Sequence, residues 1–138
     1  MIDQIETLKQ TLKNGDYTCV ISYQNDLYTS KERGVKPLLE LLDKGVDLCG
    51  AYAADKVVGK AAAFIYVKLG IAALYAAVVS EPAYAVLTNA GISVFYDELT
   101  DAIKNRRGDG YCPMESAVKE ITDTDTAILL LRKLVAAM

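Results

Sequence analysis

Apolar residues at Ile2, Ile5, Leu8 and Leu12 recur at helical spacing, and Asn14-Gly15 closes that run, which predicts a first helix. Tyr17 to Tyr23 and Leu27 to Ser30 are rich in β-formers and flank Gln24-Asn25-Asp26, the pattern of a β-hairpin. Leu38, Leu39, Leu41 and Leu42 give the next helix its apolar face; Pro37 opens it and Gly45 ends it. Cys49 to Ala54 reads as a short buried strand of small residues, followed by a helix from about Val57 to Leu69 that Gly70 stops. Ala73 to Val79 is a continuous apolar run of strand length, as in a sheet covered on both faces.

Ser80 can cap the following helix, with Pro82 in its first turn and Asn89-Ala90-Gly91 at its end. Ile92 to Tyr96 predicts another strand, and Asp97 can cap a helix from Glu98 to Asn105. A loop through Arg106 and Arg107 leads to a short helix at Pro113, and a last helix covers about Asp125 to Ala137. A helix, a hairpin and then alternating helices and strands predict an α/β protein, a three-layer α/β/α sandwich with a mixed sheet. With no repeat or linker in 138 residues, one domain spanning 1–138 is expected.

Composition narrows the function classes. Hydrophobic residues make up 52% of the chain and charged residues 24%, the balance of a globular protein. A net charge of −3 argues against general nucleic-acid binding, in which electrostatics leads. The acidic, amphipathic N-terminus lacks the basic and apolar regions of a signal peptide. Ala61 to Val79 is almost wholly apolar, but Lys68 interrupts it, and a central lysine costs roughly 2.5–3.5 kcal/mol on insertion scales. A buried helix and strand explain the run better, so no membrane span and a cytoplasmic setting are expected. Cys19, Cys49 and Cys112 are too few and too widely spaced for a disulfide framework or a zinc knuckle.

Two segments, Lys60-Ala61-Ala62 and Pro82-Ala83-Tyr84-Ala85-Val86, open consecutive predicted helices. Their placement resembles that of the two metal motifs of the cytidine deaminase-like fold, His-Ala-Glu (or Cys-Ala-Glu) and Pro-Cys-x-x-Cys. Under that resemblance the zinc ligands become Lys60, Ala83 and Val86, and the proton-transfer glutamate becomes Ala62. Alanine and valine offer zinc no donor, so the resemblance implies a pseudoenzyme with neither metal nor cofactor at this site. Over nearly its whole length the chain is similar to a small prokaryotic family of deaminase-like proteins of unknown function. The stretches YTCVISY, SKERGVKPLLELL, ADKVVGKAAA, VVSEPA and GYCPMESAVK carry that similarity.

Lys60, set among glycine, alanine and phenylalanine in GKAAAF, is the sharpest candidate for chemistry. Burial and the positive end of a helix lower a lysine pKa, and a neutral amine attacks carbonyls. The alternative is a packed stem with its ammonium paired to Asp55 or to a phosphate. Asp55, Lys56, Lys60, Ser80 and Glu81 are all expected at strand ends, where an open α/β sheet binds ligands. Asp55 and Ser80 are equally explained as helix caps.

Cys112 is expected at a helix mouth near Arg106 and Arg107, a setting that lowers thiol pKa values; a half-buried capping cysteine is the plainer alternative. Without any histidine, neither a Cys–His nor a Ser–His mechanism is available. Glu115 can reach the open donors of its own helical turn, and RRGDGYC has the parts of an anion cradle. Tyr84 either fills the space of the absent metal or stacks on a base, and the apolar last helix either completes the core or makes a homodimer.

Three functions follow as expectations. The first is a nucleotide or phosphorylated nucleoside-like ligand, bound by Lys56, Lys60, Ser80, Glu81, Arg106 and Arg107. The second is an enzyme of non-deaminase mechanism that uses Lys60 with Asp55, Glu81 or Cys112. The third is an oligomeric scaffold.

Overall fold

The computed structural model describes residues 2–32, 34–103 and 113–137. Among them the order is α1 (Ile2–Asn14), β1 (Cys19–Tyr23), β2 (Asp26–Ser30), α2 (Lys36–Asp43), β3 (Tyr52–Val58) and α3 (Lys60–Leu69). It continues with β4 (Ala73–Ser80), α4 (Glu81–Asn89), β5 (Ser93–Thr100), α5 (Pro113–Val118) and α6 (Thr124–Ala136). One mixed sheet runs β2-β1-β3-β4-β5. β1 is antiparallel to both β2 and β3, whereas β3, β4 and β5 are parallel. Parallel neighbours need a crossover on one face of the sheet, and α3 and α4 supply the two.

Each face of the sheet has its own core. On one, Ile5, Leu8 and Leu12 of α1 pack on Val20, Ala54 and Tyr75. On the other, α2 to α6 bury the larger core around Phe64, Ile65, Leu74, Leu87 and Leu131. Among the described residues the result is three layers, with α1 alone forming one of them. Helix α3 is buried almost all round, between the sheet, α4 and α6. That position accounts for the apolar run from Ala61. No helix among the described residues is long and apolar enough to cross a membrane. The last helix puts Ala127, Ile128 and Leu131 into the main core, so it completes the fold.

Two expected boundaries are corrected. The strand expected at 49–54 is Tyr52–Val58, and the helix expected from Val57 begins at Lys60. Asp55 is therefore no helix cap. It lies mid-strand, in register with Cys19 on β1 and Ala76 on β4. The second correction concerns residues 97–100, which form no helix. They extend β5, pairing Glu98 with Val78 and Thr100 with Ser80. β5 is the last strand of the sheet, and polar residues are tolerated on such a strand.

Candidate functional site

Residue spacing on two neighbouring helices builds a groove. Lys60, Phe64 and Val67 lie along one face of α3, and Pro82, Val86 and Asn89 along one face of α4. Ile121 and Thr122, in the connection before α6, close its side. The groove has a volume of about 400 Å³, and no acidic residue lines it among those described. A second hollow of about 310 Å³, between α1 and Ser22, holds none of the expected site residues.

Lys60 is the first residue of α3 and half-buried. Its Nζ donates to the Lys119 carbonyl at 2.9 Å and stands 5.7 Å from the centre of the Phe64 ring, one turn along the helix. Among the described residues no carboxylate lies within 4.0 Å of that ammonium. The cap residue of α3, Gly59, offers no side-chain acceptor. The open donors are met from elsewhere: Glu115 accepts the Lys60 N–H at 2.5 Å and the Ala61 N–H at 2.8 Å. Burial raises the Glu115 carboxyl above its ordinary range, against the pull of those two N–H groups and of the Lys60 charge. Glu115 thus serves a helix 54 residues away in sequence, not its own turn as expected. A Cβ on Gly59 would displace the Glu115 carboxylate, so glycine leaves room for it there.

The other expected residues among those described do not converge on this groove. Lys56 points to the opposite face of the sheet from Asp55, and its Nζ bonds Asp16 at 3.1 Å. Ser80 is fully buried, and its hydroxyl accepts the Ala83 N–H at 3.2 Å as the cap of α4. Glu81 is exposed in the first turn of α4. Cys112, Arg106 and Arg107 lie outside the described residues. Of the positions matched to metal motifs, Lys60 and Val86 line the groove, while Ala62 and Ala83 are buried. Tyr84 fills no buried space: it is partly exposed and meets Tyr96 edge-on, with ring centres 5.8 Å apart.

Asp55 belongs to a separate, buried network. Tyr66 donates its hydroxyl proton to Asp55 Oδ2 at 2.6 Å, the Val57 N–H donates to Oδ1 at 3.2 Å, and Cys19 Sγ lies 3.2 Å from the Tyr66 oxygen. No cation joins the network among the described residues. Burial pushes the Asp55 carboxyl up to about 6, the hydrogen bonds opposing. Burial and the neighbouring Asp55 raise both the Cys19 thiol and the Tyr66 phenol well above their ordinary values. Such a thiol is inert as a nucleophile. Among the described residues no cluster of three or more His, Cys, Asp or Glu side chains is placed to hold a metal ion.

The profile of a family described as a domain of unknown function, DUF1893, matches residues 7–135. The chain belongs to the DUF1893 family. It is also similar to a solved DUF1893 family protein from Thermotoga maritima, with 29% identity and a TM-score of 0.85. That match covers 99% of this chain and 90% of the other. No curated protein matches the chain. Family membership agrees with the expectation of an uncharacterised family along nearly the whole chain.

Proposed function

We propose that this DUF1893 protein binds a nucleotide or phosphorylated nucleoside-like ligand in the groove between α3 and α4, with Lys60 holding the phosphate. The observation that carries this reading is a half-buried ammonium, with no carboxylate within 4.0 Å among the described residues, in a groove whose described lining has no acid. In a chain of net charge −3, such a place favours an anion. The volume, about 400 Å³, is within the usual range for small-molecule sites. Phe64, Pro82 and Val86 offer apolar walls to a planar base, and Asn89 and Thr122 offer hydrogen bonds. The resemblance to the deaminase-like fold supports the same place, since that resemblance matches Lys60 and Val86 to zinc-ligand positions. The site is then a binding crevice that has lost deaminase chemistry. Arg106 and Arg107, next to α5 in sequence, complete the phosphate partners in this reading.

Thermal unfolding with a panel of nucleoside phosphates tests it. A true ligand at a hundredfold excess over its dissociation constant stabilises by about 2.7 kcal/mol. Lys60→Met abolishes that gain if the phosphate sits on the amine. A panel without effect, or an unchanged gain in Lys60→Met, removes the proposal.

A further inference from the structure

We infer that the α5 segment is a clamp on this groove: Glu115 and the Lys119 carbonyl hold Lys60 at its two ends and aim its ammonium at the ligand. The inference rests on the ligand reading above for its purpose, but its geometry is independent of it. The Lys60 N–H is held by Glu115 Oε1, and the Lys60 Nζ by the Lys119 oxygen. Glu115 and Lys119 are one helical turn apart, so a single short segment grips both ends of one residue. Val118, between them, is fully buried in the main core and anchors that segment.

The comparison with other helix ends argues that this is more than capping. α4 and α6 take local caps, from Ser80 and Asp123. α3 could do the same with a serine or aspartate at position 59, where φ −95° and ψ 179° suit any residue. Position 59 is instead glycine, and its missing Cβ admits a carboxylate from α5. The end of α3 therefore depends on α5 being seated. A carbonyl accepts one of the ammonium protons and leaves the others for an anion. A lysine held in advance loses less side-chain freedom on binding than a mobile one.

Two variants test the clamp from opposite sides. Glu115→Gln removes the charge, and Gly59→Ala pushes the intact carboxylate away. AMP affinity is measured by calorimetry, and methylation of the Lys60 amine by formaldehyde and cyanoborohydride is followed by peptide mass spectrometry, both well below the unfolding temperature. The clamp predicts that AMP binding weakens in both variants, by about 5- to 150-fold if the coupling is of the usual size. It also predicts that Lys60 is methylated faster in both. Simple charge repulsion predicts the reverse for Glu115→Gln, tighter AMP binding. AMP affinity equal to or above wild type in either variant overturns the clamp and leaves the ligand reading standing. If the wild type takes no AMP, AMP is excluded as the ligand and the panel of nucleoside phosphates decides the ligand reading. The methylation rates then decide: faster Lys60 labelling in both variants supports the clamp, and any unchanged rate overturns it.

Discussion

Asp55 stands in the middle of the sheet, hydrogen-bonded by the Tyr66 hydroxyl and the Val57 N–H, with no cation beside it among the described residues. Its folded pKa of about 6 lies above the ordinary 3.8. The folded state therefore holds this proton more tightly than the unfolded chain does. Its favourable contribution is complete below about pH 4 and is lost as pH rises through 6. The difference of about two units corresponds to roughly 3 kcal/mol. Asp16, Asp97 and Asp123 are shifted the other way, by hydrogen bonds and lysines, so the wild-type curve alone mixes opposite trends. Asp55→Asn isolates the effect. Relative to wild type, this variant gains about 3 kcal/mol between pH 4 and pH 8, read from urea unfolding at each pH. A stability difference that stays constant across that range would falsify the assignment of the shift to Asp55.

At the scale of elements, caps and pairing decide where segments begin and end. Ser80→Ala removes the buried acceptor for the Ala83 N–H and is expected to cost about 1 kcal/mol, with the loss seen as a lower urea midpoint. The cap of α4 was readable because its signal is local: Ser80, then Pro82. Helix α1, the hairpin and α2 were readable for the same reason. The cap of α3 was not, because Glu115 arrives from a distant segment and Gly59 alone carries no sign of it. The end of β3 is not legible, because Asp55-Lys56 looks like a strand terminus. The Tyr66 hydroxyl, eleven residues on, joins the Val57 N–H in making that carboxylate tolerable within the sheet. The full length of β5 is not legible, because its polar second half carries no pattern of burial; its pairing with Val78 to Ser80 is a tertiary fact. Within the candidate site, Lys60 was legible as a lone cation in an apolar stretch. The separation of Lys56 from Lys60 was not, since it follows from the strand continuing past Asp55.

The whole molecule divides its burial unequally, and the division makes a prediction about how it opens. Among the described residues the main core is closed by five helices, with α3 enclosed between the sheet and its neighbours. The other face is covered by α1, which contributes only Ile5, Leu8 and Leu12 as buried side chains. Its tether includes the Lys56–Asp16 pair, whose side chains are 45% and 87% exposed, and pairs so exposed contribute little. Detaching α1 uncovers Val20, Ala54 and Tyr75 but leaves β3, β4 and α3 paired and packed. Opening of α1 is thus a partial event, cheaper than global unfolding. In native-state hydrogen exchange at low urea, the amides of α1 are expected to exchange with a smaller free energy and a weaker urea dependence than those of α3 and β4. Leu12→Ala, at a site 1% exposed, should cost about 2–5 kcal/mol and speed exchange in α1 most. Identical exchange energies and urea slopes in α1 and α3 would mean that both cores fold and unfold as one unit, and that the single covering helix is no weaker than the five.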